Sequence, residues 1–417
     1  MKKTRIQKTP STSLETMKKT RKSSCIQFSI VGLFALLLAF SSTLSVQADP
    51  LLKIAGNVVR DTVFDLPESG KKPQDSRYNL WMYQNFLLLE GMDALGEVTG
   101  NETYKTYSDR NIDFFAAFQS QFGDTMTAGP AGEKQWYTKP SQMWHCGMVA
   151  ALAERQQERP DTEFLRGMEN LDTLLENSPA FEDGVLVRNK SRGRGLGLQI
   201  DDLYMIVPYW ARKAQLLGEP QWLERAIEES LRYFDYLWDA EDRMMHCLWL
   251  QNEQGPYGLY WGRGNGWYIM ATTDLLTFVP QNHPKREALL ADYRTFIDGI
   301  LLRQTENGLW RQILNMPESY QETSCSGMFT YCILKGVLEG WLDDPRYFEA
   351  GKNGWYGLLS TVDENYELKG VSPGSDIYAN PKDYNEGKSP VTHDQHGIGP
   401  FLLSGAAYLQ ASKAAVE

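Results

Sequence analysis

Two adjacent carboxylates, Asp201 and Asp202, open an apolar stretch in GLQIDDLYMIVPYW (197–210). An aspartate at a helix start is ordinarily a cap, its carboxylate accepting from the first free backbone N–H groups. With two in a row, one can cap while the other points into a pocket. Apolar and aromatic surroundings raise the proton affinity of a pocket carboxyl and suit it to general acid work near neutral pH. Asp201 and Asp202 are therefore the catalytic candidates. A second cluster, GLYWGRGNGWYIM (258–270), sets glycines around Arg263 and Asn265 between Trp261 and Trp267. It looks like a GxGxxG phosphate loop, but the spacing is wrong and no strand is expected before it, which argues against a nucleotide site. A tight loop carrying an arginine and two tryptophans fits a sugar acid better. Arg263 can grip a carboxylate with a two-pronged fork, and a tryptophan can cover a pyranose face. Glycines for helix packing around core tryptophans are the plainer alternative.

The remaining clusters are weaker singly. QETSCSGMFTYCILKG (321–336) opens with Glu322, Thr323 and Ser324, which can serve simply as a cap. HDQHGIGPFLL (393–403) groups His393, Asp394 and His396, yet no third ligand at zinc spacing accompanies them, so no metal is expected. His246, in RMMHCLW, is a lone histidine, and Trp144 and His145 stand just before an apolar run. No GxSxG, P-loop, HExxH or Ser/His/Asp arrangement occurs, so acyl and phosphoryl transfer have no support and no cofactor is implied.

Helices must carry these clusters. Five segments share one grammar, a turn with Gly, Pro, Asn or Asp followed by an aromatic-containing amphipathic helix: 99–118, 159–175, 218–237, 283–302 and 343–362. Their starts recur about every 60 residues. Between them run more apolar helices: Leu80–Leu95, Met143–Leu152, Asp201–Leu217, Trp267–Val279, Phe329–Trp341 and Phe401–Leu409. Leu51–Phe64 supplies a twelfth member. Six outer-then-inner hairpins of that period predict an all-α fold, an (α/α)6 barrel closing on itself rather than an open solenoid. Short hairpins are expected near Val185–Val187 and His246–Leu250. In such a toroid the inner helices start at one rim, where all these clusters converge on a pocket.

The chain start reads differently. Lys18, Lys19, Arg21 and Lys22 precede an apolar run from Ile30 to Phe40, and Val46-Gln47-Ala48 supplies a small-residue exit. That pattern predicts a signal peptide over residues 1–48, with Met17 as an alternative start, and an exported, periplasmic or secreted domain over 49–417. No later stretch reaches the ~20 apolar residues of a membrane helix. Cys146, Cys247, Cys325 and Cys332 show no CxxC spacing and read as buried thiols. A net charge of −11 argues against a nucleic-acid partner. An acidic sugar remains compatible, because one or two local arginines hold a single carboxylate.

Taken together, the motifs resemble glycoside hydrolase family 105, the unsaturated rhamnogalacturonyl hydrolases. QIDDLYM followed by a proline is similar to the family's W-x-D-x-L-Y/F-M segment, and WGRGNGW is close to its most specific signature. Trp81 and Tyr83 (W-x-Y), His246, Gly308–Trp310, Glu322–Ser324 and Gly397–Pro400 follow in the family's order. The resemblance implies an (α/α)6 barrel acting on oligosaccharides that carry a 4,5-unsaturated uronic acid at the non-reducing end. It implies hydration of the C4=C5 bond: an aspartate protonates C4, water adds at C5, and the hemiketal rearranges to release the sugar. Asp201 aligns with the catalytic aspartate, and Tyr83, His246, Trp261, Arg263 and Trp267 align with pocket residues. Trp144, His145, Glu322 and His396 complete the expected substrate-binding set. The family's second aspartate has no counterpart; its approximate position is Gln142, which leaves His145 or Asp202 to take its role. Two rival readings are a conventional inverting glycosidase, with Glu322 or Asp394 as second carboxylate, and an inert sugar-binding relative.

Overall fold

Short capping sequences set where the helices begin. Asp161 accepts from Glu163 N, Asp344 accepts from Arg346 N ahead of a proline at the first helical position, and Glu219 precedes Pro220 in the same way. The structure, a computed structural model, describes residues 48–66, 78, 81–122, 142–189, 195–374 and 380–415. The expected signal peptide falls outside them except for Ala48.

The helices in chain order are α1 (48–61), α2 (Tyr83–Thr99), α3 (Glu102–Phe122), α4 (Val149–Glu158), α5 (Thr162–Glu176), α6 (Asp202–Leu217) and α7 (Pro220–Leu237). They continue with α8 (Gly262–Phe278), α9 (Arg286–Leu301), α10 (Thr323–Leu338), α11 (Pro345–Ser360), α12 (Pro381–Gly387) and α13 (Gln395–Ala414). The members α2, α4, α6, α8, α10 and α13 pack each against the next, and α13 returns to α2. That closed inner ring, with α1, α3, α5, α7, α9 and α11 outside it, is the expected (α/α)6 barrel. Its inner helices are buried along nearly their whole length, whereas outer helices such as α5 and α7 bury one face only.

Three inner helices start earlier than their apolar runs suggest. α8 begins at Gly262 rather than 267, α10 at Thr323 rather than 329, and α13 at Gln395 rather than 401. The polar and glycine-rich motifs therefore form first helical turns. Glycine there serves approach between helices: a Cβ on Gly399 would stand 2.6 Å from the Leu87 carbonyl carbon, and one on Gly327 2.7 Å from Pro400 Cβ. α12 was not expected at all.

The strands are short: β1 (Gly197–Gln199), β2 (Trp238–Asp239), β3 (Met244–Met245), β4 (Leu248–Leu250) and β5 (Gly255–Tyr257). β1, β4 and β5 form one antiparallel sheet, with Gly197 opposite Leu250 and Leu248 opposite Tyr257, and β2 pairs with β3. The hairpin expected near Val185–Val187 is reduced to bridges, Ala180 with Leu186 and Arg188 with Gly197. A strand, β5, does precede WGRGNGW, against expectation, but it is antiparallel and no βαβ unit follows. Cys146, Cys247, Cys325 and Cys332 are buried and outside any disulfide. Among the described residues no helix is long and apolar enough to cross a membrane, and no cluster of ligating side chains fit for a metal ion is found.

Candidate active site

β1 runs through Ile200 into α6, and Ile200 N bonds Cys247 O, so the start of α6 is tied to the β3–β4 connection. Asp201 is the residue before the first turn of α6, and its side chain makes no capping bond. Its Oδ1 has no hydrogen-bond partner among the described residues, while Oδ2 lies 3.5 Å from Arg188 Nη2; the side chain is 21% exposed. Asp202 is different. It is wholly buried, and Arg188 grips it through Nε–Oδ2 at 2.7 Å and Nη2–Oδ1 at 2.5 Å. Burial pushes the Asp202 carboxyl up to about 6 against the pull of Arg188. Of the two candidate acids, then, Asp201 alone offers surface to a ligand, and Asp202 is held within the wall.

Across the rim, α2 and α13 start side by side. Asp394 caps α13 through His396 N at 3.0 Å and also contacts His396 Nδ1 at 2.5 Å. The other ring nitrogen, Nε2, lies 2.9 Å from the Tyr83 hydroxyl and 3.0 Å from Gln84 Nε2. These partners assign the tautomer: Nδ1 donates to Asp394 and Nε2 accepts from Tyr83 and Gln84. Burial and the nearby Arg263 charge lower the proton affinity of His396, although Asp394 works the other way. Burial pushes the Tyr83 phenol up to about 12, and Tyr83 feels the charges of both Arg263 and Asp201. Asp394, His396 and Tyr83 thus form a hydrogen-bonded chain directed toward the neighbourhood of Asp201.

The first turn of α8 forms the adjoining wall. Arg263 is 1% exposed and lies 5.2 Å over the Trp261 ring. Its Nη1 donates to Ser372 O at 2.6 Å and Ser324 Oγ at 3.3 Å, and Nη2 donates to Pro373 O at 2.8 Å. The carboxylate fork expected of Arg263 is therefore occupied by the chain itself in this structure. Glu322 behaves as the cap that its position suggested: it accepts from Ser324 N, Cys325 N, Ser324 Oγ and Ser372 N, and is fully buried. Trp267 is 1% exposed between Tyr83, 5.2 Å edge-on, and Tyr204, 5.0 Å away, so it supports Tyr83 and presents no face to a sugar.

His246 belongs to the same rim. Asn265 clips the preceding strand through Met245 N at 3.0 Å and Met245 O at 2.9 Å. His246 Nε2 lies 3.2 Å from Asp239 Oδ2, its ring packs 4.7 Å from Tyr260, and the Tyr260 hydroxyl donates to the same carboxylate oxygen at 2.8 Å. Burial works to raise Asp239, but hydrogen bonds from Asp242 N, Tyr260, Glu241 N and His246 hold it below the ordinary range. Trp144 lies in the turn Met143–His145, half-buried, with Nε1 2.7 Å from Gln142 Oε1; the His145 side chain lies outside the described residues. Sequence reasoning passed over Arg188, Gln84, Asp239 and Tyr260. Arg188 had one visible signal, a charge ending the apolar run Val185–Val187.

Two curated relatives match this chain over part of their length. The chain is 28% identical over 221 residues to the unsaturated 3S-rhamnoglycuronyl hydrolase of Formosa agariphila, covering 50% of this chain and 57% of that one. It is 26% identical over 215 residues to the protein of the same name from Alteromonas sp., covering 50% of each. The chain thus spans roughly half the length of these curated relatives. A solved structure described as a possible member of family GH105, from Salmonella enterica, shares the fold with a TM-score of 0.73 at 22% identity, over 88% of this chain and 94% of that one. The model of glycosyl hydrolase family 88 matches residues 59–412, which takes in every motif of the rim, and the chain belongs to that family.

Proposed function

We propose that this protein removes a 4,5-unsaturated uronic acid from the non-reducing end of lyase-generated oligosaccharides by hydrating the C4=C5 bond, with Asp201 as the proton donor. The observation that carries this reading is that Asp201, partly exposed at the start of α6, makes no capping bond and keeps one carboxylate oxygen without a hydrogen-bond partner among the described residues. An inverting glycosidase needs a second carboxylate roughly 6.5–9.5 Å away, free to activate water. Both candidates for that task are otherwise engaged: Glu322 is buried as the α10 cap, and Asp394 is bound to His396. Hydration of an enol ether needs one positioned acid and a water, and suits this inventory. The names of the Formosa and Alteromonas relatives point to the same substrate class.

On this reading Asp201 gives its proton to C4 and water adds at C5. The hemiketal then opens with loss of the neighbouring sugar. Tyr83, fixed through its hydroxyl by His396, shapes the space beside the acid. Arg263 contributes positive potential from within the wall. Incubation with unsaturated disaccharides tests the proposal: ultraviolet absorbance of the conjugated double bond should fall with time. Release of reducing sugar from saturated substrates alone would overturn it. We also propose export, supported by the basic and apolar pattern of residues 1–48. Mass measurement of the protein recovered outside the cytoplasm should show a start near Asp49, and a retained N-terminus would overturn that part.

A further inference from the structure

Arg188 reaches the acids from a segment that no motif marks. Its backbone is paired with Gly197 in both directions, Arg188 N to Gly197 O at 2.9 Å and Gly197 N to Arg188 O at 3.1 Å. Gly197 opens β1, which leads directly to Asp201, so the guanidinium is anchored beside the acids it meets. Both prongs of its fork close on the buried Asp202, and Nη2 lies 3.5 Å from Asp201 Oδ2. That last distance is an ion-pair contact and too long for a good hydrogen bond.

We propose that Arg188 and Asp202 are positioning residues: Asp202 occupies the guanidinium fork, so that Arg188 orients the Asp201 carboxyl without binding it as a carboxylate. The proposal rests on Asp201 being the proton donor. An unopposed arginine at this range favours the charged form of a carboxyl and withholds its proton, whereas an unopposed buried aspartate does the reverse. The pair together carries no net charge, and its positive end faces Asp201. Other groups facing this cluster are Tyr83 from α2, Tyr233 from α7 and Cys146 from the turn before α4. Burial pushes all three above their usual ranges, so they are neutral at pH 7. Besides Asp201 itself, the charged groups of this cluster are therefore Arg188 and Asp202.

Two substitutions give effects of opposite sign, which a merely structural role would not. Asp202→Asn keeps the shape and leaves Arg188 uncompensated. The alkaline limb of kcat, where the proton donor is ionised, should move to lower pH by about one unit, with kcat at pH 7 down about tenfold and KM little changed. Arg188→Gln leaves Asp202 uncompensated and should move the limb upward, while Arg188→Lys should restore most of its position. The same movements should appear in a carboxyl-carbon NMR titration of protein labelled at aspartate, with the Asp201 signal assigned by Asp201→Asn. That titration needs no substrate, so it decides the pairing even if wild-type protein leaves unsaturated uronates intact and the proposed function falls. Should Arg188→Gln fail to fold, the downward movement in Asp202→Asn alone decides. Movement of both variants in one direction, or no movement with only a loss of thermal stability, would overturn the inference.

Discussion

A group that gives up a proton in every turnover must be reached by substrate on one side and by a fresh proton on the other. Asp201 meets the first requirement through a side chain that stays 21% exposed, although its unpartnered Oδ1 is itself buried. Asp201→Asn keeps the volume and removes the transferable proton. It should abolish the loss of double-bond absorbance while leaving the far-ultraviolet circular dichroism and melting temperature as in the wild type. Retained activity would pass the acid role to another group. Tyr83 is expected to act differently. Tyr83→Phe leaves the ring against Trp267 and removes only the hydroxyl that donates to His396 Nε2. A buried nitrogen left with Gln84 as its one remaining partner among the bonds described costs about 1 kcal/mol. If Tyr83 shapes the sugar site, KM should rise severalfold with a smaller change in kcat. A collapse of kcat at unchanged KM would instead place the hydroxyl in the proton transfer itself.

At the scale of elements, the rim depends on how closely the inner helices approach. Gly399 faces the α2 backbone with no room for a methyl group, its Cβ falling 2.6 Å from the Leu87 carbonyl carbon. Gly266 has a nominally shorter contact, 2.4 Å, but to Met328 Sδ at the end of a flexible side chain. Gly399→Ala should therefore lower stability by about 1–3 kcal/mol, and Gly266→Ala by clearly less, as read from chemical denaturation. Equal losses would mean that α13 and α2 can part without cost. The same glycines explain what the sequence reveals and what it hides. The hairpin count and ring order follow from periodicity, because apolar runs such as Asp201–Leu217 fill whole helices. Starts such as Gly262 and Gln395 do not, because polar and glycine residues at a buried rim look like loop. Site membership followed a similar division. Motif spacing brought Asp201, Tyr83 and His396 to one rim, but the closed fork on Asp202 depends on residue 188, 14 positions away, and the chain carbonyls filling Arg263 on residues 372 and 373, 109 and 110 positions away. No local pattern reports such pairings.

The whole barrel has two ends, and the end away from the motifs is also built of charge. Arg212, buried near the end of α6, contacts Asp274 at 2.8 Å, Glu154 at 3.2 Å and Glu90 at 3.4 Å, joining four inner helices through one guanidinium. Beside it lies a cavity of about 420 Å³ lined by residues including Glu90, Asp93, Glu154, Tyr331 and Lys335, with none of the candidate site residues among them. This end serves closure of the ring. Burial is the main cause that raises Glu90 well above the usual carboxylate range, with Glu154 adding to it and Arg212 opposing. Removing the cation with Arg212→Met leaves three facing carboxylates, and breaking a buried pair in this way costs about 3–5 kcal/mol. The lower end applies here because the carboxylates retain some solvent contact. The sign of the pH dependence follows from linkage. Without Arg212 the opposing pull on Glu90 is gone, so folded Glu90 takes a proton more readily than the unfolded group, whose value lies near 4, and the folded state gains protons as pH falls. The deficit of Arg212→Met relative to wild type should thus be greatest near pH 8 and shrink toward pH 5, measured by denaturation at both. A deficit independent of pH would show that the loss is one of packing against Phe86 and Phe278, the rings over which the Arg212 guanidinium lies.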